Sequence, residues 1–429
     1  MTKRWIRSVS LLLLACVLLS GCDWLEDPKS LMSMPRLPED KAKIMTIISS
    51  QMPKEAEMLR PANAEDASAI RLADLNNDGR ADTAIVFYET PDKDVRLHGL
   101  VFHSDGETWN KVVEFDGVGV SLDRVELVDL THDNKLDLVV GYGGSDKDLN
   151  KGLVVYSFTQ DGIVKIFEQP YSQFVIDDLN EDGKNQLYIV NNRRDMPPVL
   201  AMYDFKDGKM AKQNELTLDK DVNMYTNMIS GHISKNQKGI VLDAVAGANY
   251  GVTDIIKLTE DNQLVSILPE EMAIKPYNIA SGDMNGDGII EIAIPEMPSG
   301  WDIYESYAIP YFTSYYQWDE KNGLKLVEKQ YRDYEERFQL KLPNSWYGRV
   351  TIDTKSKKDE YIRFMDMHNT NETLAEIKFF NPEMWETYKE KWTYLSSYGD
   401  TIIGVFSKEP LMLNRGTPKI PDMNRESNE

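Results

Sequence analysis

The stretch DLNNDGRAD, residues 74–82, sets Asp74, Asn76, Asp78 and Asp82 at a rhythm that suits oxygen ligation. With Asp74 as the first position, the first, third and fifth side chains can converge on one point. The seventh residue, Arg80, can add its backbone carbonyl and the ninth, Asp82, a carboxylate. Gly79, in the sixth place, lets the chain reverse. A hard cation such as calcium takes six to eight such oxygens at about 2.3–2.6 Å. An EF-hand would need Glu in the twelfth place, where this chain has Ile85, so the loop is of another kind. Without metal, the same Asp and Asn spacing would act by capping turns. Acids clustered this closely repel each other unless something offsets the charge.

The rhythm returns four times. DLTHDNKLD begins at Asp129 and offers Thr131, Asp133, the Lys135 carbonyl and Asp137, with Asn134 in the glycine place. Asn tolerates the left-handed conformation. DLNEDGKNQ begins at Asp178 and offers Asn180, Asp182, the Lys184 carbonyl and the neutral Gln186. HISKNQKGI begins at His232 and has Ser234 and Asn236 but no carboxylate, so it is expected to hold no metal. DMNGDGIIE begins at Asp283 and matches the first copy with Asn285, Asp287, the Ile289 carbonyl and Glu291. The starts are 55, 49, 54 and 51 residues apart. A period near 50 residues marks a repeat architecture.

The segments around each loop must position it. A short apolar run precedes every copy (SAIRLADL, DRVELVDL, QFVIDDL, MISGHI, NIASGDM) and another follows (DTAIVFY, LDLVVGY, QLYIVNN, GIVLDAV, EIAIPEM). A hairpin pattern comes next, in most copies with Asp-Gly or Asn-Gly at its turn, as in YSFTQDGIVKIFE. The unit is strand, acidic loop, strand, strand, turn, strand, which is the plan of one propeller blade. In this it resembles the FG-GAP/VCBS family of calcium-loop β-propellers. The resemblance covers about 265 of the 429 residues. It implies a mainly β fold, a propeller over 66–332, structural calcium in the loops, and a ligand-binding or scaffolding role. Five blades are visible in the sequence. Family members commonly have seven, so either the ring is smaller or flanking segments supply degenerate blades.

The chain carries a net charge of −22, which repels nucleic acid and anionic headgroups and favours cations. At the N-terminus Lys3, Arg4 and Arg7 precede the apolar run Leu11–Leu19, too short to span a bilayer and suited to a secretion signal. LSGC at 19–22 resembles the bacterial lipobox, which implies cleavage before Cys22 and a diacylglycerol on its sulfur. The expected product is a membrane-anchored lipoprotein on the extracytoplasmic side. With Cys16 removed in the signal, the remaining chain has one cysteine and no internal disulfide. Residues 22–40, with Pro28, Pro35 and Pro38, read as a tether, and 41–65 as a short amphipathic helix and lead-in. After 332 the repeat stops. RFQLKLP, RVTIDTK, YIRFMDM, LAEIKFF and TIIGVFS read as strands, and Asn381-Pro382 opens a helix. That makes 333–408 a small α+β domain, and 409–429 a tail without structure.

No sequence spacing selects a catalytic centre. The five histidines show no zinc pattern, His132 reads as a solvated loop residue, and there is no GxSxG, P-loop or GxGxxG. The expected role is binding, with an unknown protein or carbohydrate ligand. The alternative is a surface enzyme acting on polysaccharide through acids in the propeller channel. One segment, WDIYESYAIPYFTSYYQW at 301–318, holds eight aromatics. Trp301, Tyr304, Tyr307, Tyr311 and Trp318 are its candidate ligand-binding residues. The competing reading, a long strand pair packing between the last blade and the next domain, is the favoured one for most of them.

Overall fold

The computed structural model describes residues 39–63, 68–75, 77–90, 95–144, 151–159, 162–193, 196–248, 250–321 and 323–413. The signal segment, Cys22, the tether to residue 38 and the ligand candidate Asn76 lie outside them. The chain is mainly β, with 54% strand and 7% helix. No helix among the described residues is long and apolar enough to cross a membrane.

Among the described residues, six antiparallel sheets follow one another along the chain. The first contains Ile70–Ala73, Thr83–Glu89, Leu97–Ser104 and Trp109–Asp116, with Glu57–Met58 continuing one edge. The second contains Ser121–Val128, Asp137–Gly143, Lys151–Thr159 and Gly162–Tyr171; the third, Gln173–Asp177, Gln186–Asn191, Val199–Lys206 and Lys209–Thr217. In the fourth, Val222–Ser234, Gln237–Ala246, Tyr250–Leu258 and Leu264–Ser266 pair in chain order, and Ile274–Lys275 adds to an edge. The fifth contains Ile292–Glu296, Phe312–Trp318, Leu324–Arg332, Gln339–Lys341 and Met412–Leu413. The sixth contains Val350–Ile352, Tyr361–Asp366, Thr373–Phe380, Thr401–Ser407 and Thr393–Tyr398.

Period-two alternation explains how the sheets stack. A strand sends successive side chains to opposite faces. In Asp137–Gly143, Leu138, Val140 and Tyr142 pack with Ile85, Phe87 and Val101 of the first sheet. Val139 points the other way and packs with Phe174, Leu187 and Ile189 of the third. Tyr188 and Val190 then meet Ile240 and Leu242 of the fourth sheet. Val241 and Ile255 meet Ile292 and Trp318 of the fifth. Phe312 and Tyr331 meet Phe364, Ile377 and Ile403 of the sixth. The outer face of the first sheet is covered by helix Glu39–Gln51, whose Ile44 and Ile48 rest on Val86, Leu100 and Phe102. Each fully buried aliphatic or aromatic side chain contributes about 1.5–3 kcal/mol to this stack.

Several sequence expectations change. RFQLKLP, assigned to the C-terminal unit, places Gln339–Lys341 beside Leu324–Arg332 in the fifth sheet. Leu340 and Leu342 are buried there against the sixth sheet. Residues 412–413, assigned to a tail without structure, pair with Leu340 and Lys341 and cover that edge. NIASGDM forms only an isolated bridge, Gly282 to Glu291, rather than a strand. Thr393–Tyr398, missed in the sequence, is a strand. Helix Pro382–Tyr388 begins as its residues dictate, with the Asn381 side chain accepting from Met384 N at 2.8 Å.

A candidate metal centre in the loop at 283–291

Four of the five loops share one hydrogen-bonded scaffold. The first-position carboxylate caps the loop: Asp74 accepts from Asp78 N and Gly79 N, and Asp178 from Asp182 N and Gly183 N. Asp129 accepts from His132, Asp133 and Asn134 N–H groups, and Asp283 from Gly286, Asp287 and Gly288 N–H groups. The fifth-position carboxylate accepts from the seventh N–H in Asp78–Arg80, Asp133–Lys135, Asp182–Lys184 and Asp287–Ile289, at 2.9–3.0 Å. The sixth position is left-handed, with Gly79, Gly183 and Gly288 at φ +89°, +84° and +83° and Asn134 at +65°. The fourth position is left-handed as well: Asn77, His132, Glu181 and Gly286. That requirement was not read from the sequence, because four different residue types meet it.

The ninth position is where the loops diverge. Asp137 is buried, and its Oδ2 accepts from Leu130 N and Thr131 N at 2.9 Å. Burial raises its pKa, against those bonds and one from Ser157. Gln186 occupies the same buried place without charge. Asp82 lies 3.6 Å from His103 Nδ1. Arg80 turns its guanidinium back onto Asp78 at 3.3 Å.

At the last loop the carboxylates come together. Asp283, Asp287 and Glu291 each bring an oxygen to within 4.8 Å of the others, and this triad could hold a metal ion. Among the described residues it is the one such group. Glu291 has 0% exposure. Its carboxylate accepts from Met284 N at 2.7 Å and from the Asn285 and Gln317 amides at 2.8 Å. Burial, followed by the nearby charges of Asp287 and Asp283, pushes the Glu291 carboxyl up to about 7. Asp287 moves the other way. Burial works to raise it but is outweighed by hydrogen bonds from Gln317, Ile289 N and Asn285. A divalent cation would offset the repulsion that burial magnifies here. The donor set of hard oxygens fits such an ion. Gln317, on the strand beside the loop, was not foreseen; it stands one residue before Trp318 in the aromatic stretch.

The loops stand side by side in chain order. Leu136 N donates to Leu75 O at 3.1 Å, and the Asn185 amide reaches Asp129 O at 3.5 Å. Lys238 Nζ donates to Asp177 Oδ1 at 2.8 Å and to Asp178 O at 3.2 Å. Ile290 N donates to His232 O at 2.8 Å. His132 is not a solvated loop residue. It is largely buried, and its Nε2 lies 3.0 Å from Asp204 Oδ1 of the third sheet. The fourth copy has no position-one acid and forms a tight turn between its strands.

The aromatic stretch divides. Trp301 is 6% exposed, its indole N–H bonded to Ile352 O at 2.8 Å, and Trp318 is 8% exposed in the core between the fourth and fifth sheets. Neither can serve as a ligand platform, because the hydrophobic packing that fixes them also covers them. Tyr311 is half-buried, edge-on to Tyr277. Tyr304 leans on Trp301, with ring centres 4.8 Å apart. Ile303 at 83% and Tyr307 at 82% exposure project from the loop that Trp301 pins.

No family model and no curated protein matches this chain. Solved structures do resemble it at a distance. A hypothetical selenium-binding protein from Sulfolobus tokodaii matches at 11% identity and TM-score 0.30, over 51% of this chain and 56% of that one, so this chain spans little more than half its length. Sqt1 from Chaetomium thermophilum matches at 11% identity and TM-score 0.36, over 82% and 98%. A rhamnogalacturonan lyase from Bacillus licheniformis matches at 9% and 0.32, over 74% and 85%. No functional reading rests on these likenesses.

Proposed function

We propose that the chain is an extracytoplasmic lipoprotein, anchored through Cys22, whose first five sheets are the blades of a calcium-stabilised β-propeller that presents a binding surface. The observation that carries this reading is the register of the loops. Five loops recur at a period near 50 residues, four of them joining the first two strands of their sheets and the fifth leading into Ile292–Glu296; they stand side by side, and the last carries the Asp283, Asp287 and Glu291 triad. The sheets also share their cores pairwise in chain order, which supports blades and their resemblance to FG-GAP/VCBS repeats. Calcium is the cation the oxygen-only donor set favours, and it acts structurally by fixing a loop. The exposed Ile303 and Tyr307, on a loop that Trp301 anchors, are the proposed contact residues for a protein or carbohydrate ligand.

The test is calorimetric titration of the chain from residue 23 with calcium, followed by screening of secreted-protein and glycan arrays with wild type and Tyr307→Ala. Calcium uptake that Asp287→Ala abolishes, with array binding that Tyr307→Ala weakens, supports the reading. No uptake at millimolar calcium, or turnover of an arrayed polysaccharide, overturns it.

A further inference from the structure

The fourth loop differs from its neighbours in the sign of its chemistry. At the fifth place, where the other loops carry an accepting carboxylate, it has Asn236, and the Asn236 amide donates together with Ser234 at the third place, where Thr131, Asn180 and Asn285 donate within their own loops instead. The Ser234 hydroxyl donates to Glu320 Oε1 at 2.8 Å and the Asn236 amide donates to the same oxygen at 2.9 Å. Glu320 belongs to the next sheet, in the turn between Phe312–Trp318 and Leu324–Arg332. That turn is built to deliver it. Asp319 Oδ1 accepts from Lys321 N and Gly323 N, and Glu320 itself is left-handed at φ +63°. Ser234 is buried while Glu320 and Asn236 are exposed, so the hydroxyl bond is sheltered on its donor side and the amide bond faces solvent.

We propose that Glu320 is the internal ligand of the fourth loop: a tethered carboxylate that fixes this loop without metal and so positions the metal loop beside it. The arrangement inverts the one in the triad. There, acids of the loop would gather around a cation. Here, hydrogen-bond donors of the loop gather around an anion supplied by the neighbouring sheet. Bonds to a charged acceptor are the stronger kind. The consequence passes to both sides. Lys238 ties the fourth loop to Asp177 and Asp178 of the third, and His232 O receives Ile290 N, the residue before Glu291. Glu320 touches no candidate metal ligand, so it is a positioning residue. This second step rests on the metal reading above; the first does not.

The experiment uses the full mature chain with Glu320→Ala, Glu320→Gln and Asn236→Ala. Amide hydrogen exchange over residues 232–240 is measured in chelator, and calcium titration is run on the same proteins. In wild type, chelator should leave that segment protected. Glu320→Ala should speed its exchange tenfold or more, and Asn236→Ala, at an exposed side chain, should do so in part. Glu320→Gln keeps an acceptor oxygen and should restore most of the protection. In the titration, Glu320→Ala should weaken calcium binding about three- to tenfold and Glu320→Gln much less. Unchanged exchange in both alanine variants, or wild-type protection that appears only with calcium, overturns the internal-ligand assignment. Unchanged calcium affinity in Glu320→Ala overturns the positioning step. Failure of the metal reading shows separately, as no calcium uptake by wild type.

Discussion

Replacing Glu291 by Gln should, in chelator, destabilise the protein at pH 5 and stabilise it at pH 8, and in calcium at pH 8 should destabilise it relative to wild type. Glu291 is fully buried, and its carboxyl titrates near 7 in the fold. An unfolded Glu titrates near 4.3, so the raised carboxyl corresponds to about 3–4 kcal/mol. Its folded pKa is raised. The contribution is therefore complete below about pH 4 and is lost as pH rises through 7. Gln removes this titration but turns an amide N–H toward either Met284 N or the Asn285 and Gln317 amides, at about 1–2 kcal/mol for the lost acceptor. Without metal, Glu291→Gln should be less stable than wild type at pH 5 by about 1–2 kcal/mol. At pH 8, where wild type has lost that 3–4 kcal/mol, the variant should be the more stable by about 2 kcal/mol. With calcium at a hundredfold excess over Kd, wild type gains about 2.7 kcal/mol and the variant little, so the order inverts again. Denaturant melts at the two pH values, with and without calcium, read all four differences, and subtraction between proteins cancels the other carboxylates. A variant equally destabilised at pH 5 and pH 8, with the calcium response of wild type, would refute the account.

The other expectations are simpler. Trp301→Ala should cost about 3–5 kcal/mol in a denaturant melt, as large aromatic losses from cores do, whereas Tyr307→Ala should fall within about 0.5 kcal/mol of wild type. Lys275→Met strands the fully buried Asp243, which Lys275 Nζ meets at 3.0 Å. It should cost about 3–5 kcal/mol, and adding Asp243→Asn should recover a good part of that in a double-mutant cycle. Gly288→Ala, at φ +83° with open space around it, should cost about 1 kcal/mol, and Asn134→Gly at the equivalent place should be neutral or better, both read by thermal melts.

Much of the strand order and the scaffold of the loops were legible in the sequence, because period-two alternation and turn chemistry are local signals. The Asp and Gly positions of 74–82 and 283–291 state their own geometry. What could not be read is what arrives from elsewhere in the chain. Gln317 and Glu320 reach loops that begin 34 and more residues earlier, and nothing in YYQWDEKNG marks them for it. His132 read as solvated because its partner, Asp204, is 72 residues away. The sixth-position glycine was visible, while the fourth-position requirement was hidden behind Asn, His, Glu and Gly. Within 301–318 composition alone could not separate the buried Trp301 from the exposed Tyr307, since both lie in one irregular segment.

The pairing of Met412–Leu413 with Gln339–Lys341 makes the sixth sheet, residues 350–407, an excursion inserted between two strands of the fifth. A chain emerging from the ribosome can assemble the first four sheets in the order they are made, each on its predecessor. The fifth cannot gain its last strand until residue 413 has been made. Until then Gln339–Lys341 is an open edge, ready to pair with another chain. A stop codon a few residues after 407 would leave that edge permanently bare on an otherwise finished molecule, and the defect would show first as self-association during synthesis rather than as a loss of the loops.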